Sequence, residues 1–547
     1  MSQVAPPVVI VGGGHNGLVC ACYLALAGVR VLVLEQSDKP GGGSRTEATI
    51  DGLPHRFDLH SVAHNIINMT SIPAELDLAG AGLVYQQMDP FAIGTFADGR
   101  IVRFHRSIDR TLASIAEHDR AEAQAYARLM HRAVPLVQAA VTGLDSGAAT
   151  HGLGKALRGK LIPAARAVHR AGGPFALGHD LVQPYAALLQ TALPSDLTRA
   201  PIAAFAAHSS AGPHVPGGSF YAFWQAAYHL FGQWHARGGA GGLIDALLRR
   251  LQAAGGLVRC GADVVRIDAT GGRAIGVVLA DGERIPALAV VSAIDVQSAL
   301  LHLLDPPLAG RHGAELSAAH RGNAVQMLVH LAVDRLPAYP GARAGDWNGL
   351  QSHVDSLEEL TDGFQAAQAR RLPDPVPTYL FSTSALDDTL APAGQHTVYL
   401  ACPCAPYRTS DGWTAHAEPF ADQMVAQVER HAPGFTKTIT GRSIRTPELM
   451  AGELAWPGAH PMHLDITLDQ LAFLRPTRAL ADHRVPGVTG LFTCGAGTAP
   501  VGGIAGSPGK AAALAVLAEQ RKPGAGRSGS AQPSGAGVHP DGHPGPI

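Results

Sequence analysis

The chain has 547 residues and a formal net charge of -2, long enough for two or three domains around a large core. Hydrophobic residues make up 46% and charged residues 16%, and the absence of a long basic run removes the basis for a nucleic-acid partner. No uninterrupted stretch reaches the roughly 18–20 apolar residues that cross a bilayer.

The first element is the apolar run Val8-Val9-Ile10-Val11, which fits a buried parallel strand and passes directly into Gly12-Gly13-Gly14-His15-Asn16-Gly17. This is G-x-G-x-x-G. The first glycine permits the tight turn, the second lets a pyrophosphate approach the main chain, and the third lets the next helix pack close to the strand. Leu18, Ala21, Leu24 and Ala25 recur at helical spacing, and Gly28 ends the helix. Unpaired N–H groups and the positive end of the dipole suit its N-terminus to phosphate, so His15 and Asn16 join Gly12, Gly14 and Gly17 as cofactor-binding candidates. Val31-Leu32-Val33-Leu34 is the second strand, with Glu35 placed to accept hydrogen bonds from an adenosine ribose. An acid here with no arginine directly after it favours a free ribose hydroxyl, which both FAD and NAD carry. What separates them is the sequel Pro40-Gly41-Gly42-Gly43-Ser44-Arg45-Thr46, a second main-chain-rich loop that adds Gly42, Gly43 and Ser44 to the candidates.

Further along, Ile115 to Val141 has the pattern of an amphipathic helix. Gly238-Gly239-Ala240-Gly241-Gly242 leads into a helix from Leu243 to Ala254, then strand-like runs at Gly256–Arg259 and Ala262–Ile267. A hairpin follows, with Gly271-Gly272 as its turn and Ala274 to Leu279 as its return strand. Ala324 to Val333 and Thr397 to Ala401 are expected as strands and Glu418 to Arg430 as a helix. From Pro523 onward the chain is Pro, Gly, Ser and Ala with little else, the composition of a disordered tail over 522–547. Six cysteines are too few and scattered for a disulfide scaffold; Cys20 with Cys22 and Cys402 with Cys404 are C-x-C pairs, expected as buried small residues. The 27 histidines raise the question of metal binding, but His60 and His64, four apart and able to share a helical face, lack a carboxylate pair or H-E-x-x-H. No metal site is expected. The segment before the first strand lacks a basic region and apolar core, so a cytoplasmic protein is expected, with peripheral membrane contact left open.

Gly17-Leu18 with Ala21, Leu24, Gly28, Glu35 and Gly41-Gly42 resembles the FAD fingerprint of the amine-oxidase and phytoene-desaturase superfamily. At the far end, Gly490-Leu491-Phe492-Thr493-Cys494-Gly495-Ala496-Gly497-Thr498, followed by Gly502-Gly503-Ile504-Ala505-Gly506-Ser507-Pro508-Gly509, resembles its closing motif, where a strand and a helix N-terminus meet the flavin. Gly14-His15-Asn16-Gly17-Leu18-Val19-Cys20, Ser292-Ala293-Ile294-Asp295 and His463-Leu464-Asp465-Ile466-Thr467-Leu468-Asp469-Gln470 are similar to a branch of the phytoene desaturase relatives. That branch holds the bacterial flavin-type beta-carotene ketolases and related pyridine-nucleotide-disulphide-oxidoreductase-domain proteins. The resemblance covers nearly the whole chain. It implies an α/β fold with a Rossmann-like FAD-binding domain built from discontinuous segments (1–74, 237–309 and 486–521) and an α+β substrate domain (75–236, helix-rich, and 310–485). It adds Val264, whose backbone would meet the adenine, and Gly495, Gly503 and Ile504 near the flavin. His64 and His229 match histidines of the ketolase pattern and are the catalytic candidates. Two departures stand out: Ala499 where relatives carry a histidine after the threonine, and Lys510 where arginine is usual.

The function implied is an FAD-dependent oxidoreductase that moves hydride to or from the flavin at C–C or C=C bonds of a hydrophobic, polyunsaturated or terpenoid substrate. A flavin amine or amino-acid oxidase ranks lower, because Lys437 does not sit in a recognisable version of the lysine site such enzymes use. A flavoprotein that binds lipid without turnover is the third reading, and Ala499 gives it weight.

Overall fold

The computed structural model describes residues 5–145, 161–209 and 211–521; the expected tail lies outside them. Three remote pieces of chain assemble one parallel sheet, in the order Leu491–Thr493, Ala289–Ser292, Val8–Val11, Val31–Leu34, Leu257–Arg259. Successive side chains of a strand point to opposite faces, and the central strand uses both. Val8 and Ile10 pack with Leu18, Leu243, Leu247 and Ala512 of the helices His15–Leu26, Gly241–Ala253 and Ser507–Gln520. Val9 and Val11 pack with Ile267 and Val277 of a four-stranded sheet in the order Arg284–Pro286, Arg273–Leu279, Val264–Thr270, Leu304–Asp305, antiparallel but for the last pair. Burial on both faces explains why these strands read as unbroken apolar runs.

A second layer holds a seven-stranded sheet in the order Ile439–Arg445, Ala324–Val333, His396–Pro406, Thr378–Phe381, Leu350–His353, Ala92–Thr95, Ile101–Phe104. Both long insertions contribute to it, and the largest apolar cluster of the molecule lies against it. The first insertion is helix-rich as expected, and it also carries four short strands that were not: Ala92–Thr95 and Ile101–Phe104 complete this sheet, and Tyr85–Met88 pairs with Gln233–Ala236. Four-residue strands buried throughout leave no alternation to detect. The helix expected over Ile115–Val141 is two, Ile108–Ala116 and Arg120–Asp145. Asp119 causes the break, because its carboxylate accepts from the Ala121 and Glu122 N–H groups at 2.7 and 3.2 Å and starts the second helix. His60 and His64 share no helical face, since 61–65 is irregular chain without helix.

A cavity between two glycine loops and the substrate layer

The two glycine loops meet. Gly41 N–H donates to the Gly13 carbonyl at 2.9 Å, and Gly14 and Gly41 form a parallel bridge. A cavity of about 1200 Å³ opens beside them and runs to the seven-stranded sheet. Gly12, Gly14, His15, Asn16 and Glu35 lie on its wall with Gly42, Gly43 and Ser44 of the second loop; Val264, Gly503 and Ile504 reach it from the other two pieces of chain. The glycines divide by what surrounds them. No heavy atom lies within 4 Å of the point a Cβ on Gly14 would occupy, so that space belongs to the cavity. A Cβ on Gly17 would stand 2.2 Å from the Gly12 carbonyl oxygen, and one on Gly495 2.1 Å from that of Ile294. Those two glycines permit close packing and are absent from the wall. Gly43 makes room for an indole, since its Cβ would meet Trp456 at 2.4 Å.

Glu35 fixes the first loop as well as facing the cavity: its two carboxylate oxygens accept from Gly13 N–H at 2.8 Å and Ser37 N–H at 2.9 Å. Two lone-pair sites remain for a ligand. Two helix N-termini border the same space, at His15 and at Ser507, which suits an anionic ligand. His15 Nε2 lies 3.0 Å from the Gly503 carbonyl and must donate, tying the first glycine loop to the last across 488 residues. Burial lowers the His15 pKa to about 4, so it is neutral at neutral pH. Asn16 Oδ1 and Ser44 Oγ are buried without a partner among the described residues. A dinucleotide between the loops supplies the polar groups both atoms lack, so the residues present fit one.

Neither catalytic candidate lies on the wall. His229 has both ring nitrogens engaged, Nε2 with the Tyr126 hydroxyl at 2.7 Å and Nδ1 with the Arg106 carbonyl at 3.2 Å. His64 is fully buried behind the wall, with Nδ1 3.0 Å from the Tyr85 hydroxyl. Matching a pattern located the neighbourhood but not the direction of the rings. The wall carries other histidines, His60 and His463 among them. His60 packs edge-on against Trp456 with centroids 5.0 Å apart, and its Nε2 is buried without a partner among the described residues. Neither ring nitrogen of His463 is hydrogen-bonded among the described residues, and its backbone adopts φ +62°, a strained value for a residue with a Cβ. Burial lowers the pKa of His60 to about 3 and of His463 to about 4.

Arg475 holds that strained loop. Its guanidinium is fully buried and donates to the carbonyls of Met462, Leu464, Asp465, Gln470 and Ala496 at 2.6–3.1 Å. It thereby binds the His463 loop to the Gly495–Gly497 turn. Ala499, just beyond that turn, is on the wall, and the His463 Cβ lies 3.3 Å from where a Cβ on Gly497 would be. An imidazole thus borders the turn from another part of the chain. In sequence His463 and Arg475 both stood only in a branch-specific stretch running from His463 to Pro476, with no role attached to either. Lys510 is not on the wall; its ammonium pairs with Glu75 at 3.0 Å and joins two helices. Lys437 is exposed and also off the wall.

Away from the loops the wall is aromatic and aliphatic, with Phe205, Tyr221, Trp224 and Tyr228 facing Tyr379 and Phe381 of the seven-stranded sheet. Its carboxylates are answered or exposed. Asp295 pairs with Arg321 at 2.9 Å, Glu453 with Arg445 and Asp482 with Arg484 at 3.3 Å, while Asp263 faces solvent. The four cysteines of the C-x-C pairs are buried.

Residues 10–71 match the NAD(P)-binding Rossmann-like domain and residues 198–507 match the flavin containing amine oxidoreductase family. The chain is 30% identical to the mouse pyridine nucleotide-disulfide oxidoreductase domain-containing protein 2, over 93% of each. It is 26% identical to the lycopene-forming phytoene desaturase of a Paracoccus species, over 94% of this chain and 97% of that one. An oxidoreductase from Methanosarcina mazei superposes with a TM-score of 0.59 at 15% identity, covering 94% of this chain and all of that one, a likeness of fold.

Proposed function

The chain belongs to the flavin containing amine oxidoreductase family and is an FAD-dependent oxidoreductase; from that premise we propose that it moves hydride between the flavin and a carbon of a hydrophobic, polyunsaturated, carotenoid-like substrate. The observation that carries this reading is the aromatic wall beyond the glycine loops, where each carboxylate among the described residues is paired with an arginine or exposed to solvent. A protonated amine brought into such a space would lose its hydration and meet no counter-charge. An extended apolar chain loses nothing on entry and gains contact with every ring.

Bound FAD supplies a two-electron hydride acceptor or donor. The Gly14 and Gly42 main chain gives a pyrophosphate room to approach, and Glu35 offers its free lone pairs to a ribose. Tyr379, Phe381 and Trp224 align an extended substrate and exclude water from the reacting carbons. Loss of hydride from one carbon leaves the neighbouring C–H strongly acidic, so a weak base suffices to take its proton and complete the new double bond. His60 and His463 are two imidazoles on this wall that burial keeps neutral and that each have a ring nitrogen without a partner among the described residues. In the reverse direction the same groups return the proton.

The same reading extends to where the substrate comes from. Phe473 lines the cavity yet is 71% exposed, and Leu468 nearby in the chain is also exposed, an apolar rim suited to a lipid surface. No helix among the described residues is long and apolar enough to cross a membrane. We expect sedimentation with phosphatidylcholine vesicles, reduced in Phe473→Ser; retention of the variant on vesicles would remove the rim from the proposal.

Anaerobic titration of the holoenzyme with detergent-solubilised polyenes, and separately with an amine panel, tests the main reading. Bleaching of the flavin by polyenes, or its reoxidation by them after reduction, supports it. Bleaching by amines alone overturns it.

A further inference from the structure

One helix beside the cavity has its polarity inverted. Leu161–Arg170 packs along the helix Arg120–Asp145, whose last turns give Ala140, Gly143 and Leu144 to the cavity wall, and Pro174–Val182 follows after a turn through Gly172 and Gly173. A surface helix normally directs its polar residues outward. Pro174–Val182 does the reverse: its one carboxylate, Asp180, turns inward to pair with Arg132, whereas Phe175 is 93% exposed and Val182, two turns on along the same face, is 57% exposed. Gly178 and His179 complete that outward face, which carries no acid.

The end of this helix adjoins the rim of the cavity. The Val182 carbonyl accepts from Gly217 N–H at 2.7 Å, and a Cβ on Gly217 would stand 2.4 Å from Leu468. Phe175 and Phe473 are the only exposed phenylalanines among the described residues, and both belong to this surface. The charge beside it has one sign. Arg166 and Arg170, four apart and exposed on Leu161–Arg170, have no carboxylate partner among the described residues; Arg170 Nη1 lies 3.5 Å from the His131 carbonyl. The acids of the rim loop, Asp465 and Asp469, are met by His320 at 3.1 and 3.3 Å. In sequence, 146–160 adds Lys155, Arg158 and Lys160 and no acid, a local excess of positive charge in a chain whose net charge is -2. Apolar side chains that stand clear of the protein beside unpaired arginines match a bilayer interface, where acyl chains take the first and phosphates the second.

We propose that this face docks on an anionic lipid bilayer, with Phe175 and Val182 of Pro174–Val182 entering the acyl boundary beside Leu468 and Phe473, and Arg166 and Arg170 meeting headgroup phosphates. The inference rests on the reading of the cavity as a polyene site and names the surface that delivers the substrate. A polyene dissolved in lipid then reaches the cavity without crossing water, the step that costs an apolar chain most.

Sedimentation of the full-length holoenzyme with vesicles tests this, one set of phosphatidylcholine alone and the other of equal parts phosphatidylcholine and phosphatidylglycerol. Binding to the mixed vesicles should be about tenfold tighter and should weaken as salt rises. Arg166→Gln combined with Arg170→Gln should shrink that difference. Phe175→Ser should weaken binding to both sets about tenfold, with flavin content and thermal unfolding kept. Absence of binding, equal binding to both sets, or binding that Phe175→Ser leaves unchanged overturns the inference. A concentration-dependent dimer that Phe175→Ser dissolves, with no vesicle binding, overturns it in favour of a second copy of the chain. Detergent-solubilised polyenes need no bilayer, so the two readings fail separately: a flavin response to polyenes without vesicle binding sinks the docking face alone. Vesicle binding with no flavin response to polyenes sinks the polyene reading and leaves the docking face.

Discussion

The cofactor side and the substrate side of the cavity are made from different chemistry. On the cofactor side the contacts are main chain: Gly12, Gly14, Gly41 and Gly42, two helix N-termini, and Glu35 braced by the Gly13 and Ser37 N–H groups. On the substrate side they are side chains drawn from distant segments: Tyr221, Trp224, Gln326, Phe381 and His463. A main-chain site constrains which residues its sequence tolerates, because any Cβ in the wrong place closes it. A side-chain site is free to vary residue by residue, which allows one cradle to serve unrelated substrates.

The sharpest way to break this contrast is at two glycines three residues apart. Gly14→Val places methyl groups in cavity space, so the chain should fold and purify without flavin. Gly17→Val sets a side chain against the Gly12 carbonyl at the 2.2 Å approach, so it should lose stability itself. Flavin absorbance per mole of protein and thermal unfolding separate the two; full flavin content in Gly14→Val would contradict the cradle. Next in size is Arg475, the brace between the two sides. Arg475→Leu leaves five carbonyls without their donor, and a loss of about 3–5 kcal/mol in stability is expected by denaturant unfolding. Arg475→Lys retains the charge with fewer donors and should fall between. A near-neutral Leu variant would show that the loop holds without its guanidinium.

The same division governs what was legible in the sequence. Val8 to Glu35 could be read almost residue by residue, because strand, turn, helix and acid are each tied to a local pattern. Ala324–Val333 matched its expected strand and Ala417–His431 its expected helix within one residue at each end, both being long and strongly patterned. Short buried strands such as Ala92–Thr95 carry no periodicity, and a local cap at Asp119 divided one apparent helix into two. On the substrate side legibility ended. His64 and His229 share a neighbourhood with the cavity but their rings turn elsewhere, whereas His463 and Arg475 gain their roles from contacts made across many residues. Sequence spacing holds no record of such contacts.

Two smaller effects sharpen the comparison. Glu35→Ala should weaken FAD by about 1–3 kcal/mol through lost ribose bonds and a loosened Gly13 turn, read as a dissociation constant from flavin fluorescence. An unchanged constant would remove Glu35 from the cradle.

The smallest is a pH effect on the substrate side. His463 has a folded pKa of about 4 against the ordinary 6.5, and His60 one of about 3, both because burial disfavours the imidazolium. The unfolded chain therefore takes up protons below pH 6.5 that the folded chain refuses. Their contribution to stability is complete above pH 6.5 and is lost as the pH falls toward 4 for His463, and toward 3 for His60. Replacing His463 with Gln removes one such group, so urea midpoints measured between pH 7.5 and 4.5 should fall less steeply in the variant than in the parent. A steeper fall would mean that His463 is protonated in the folded protein, and the neutral base assigned to this wall would have to be His60 alone.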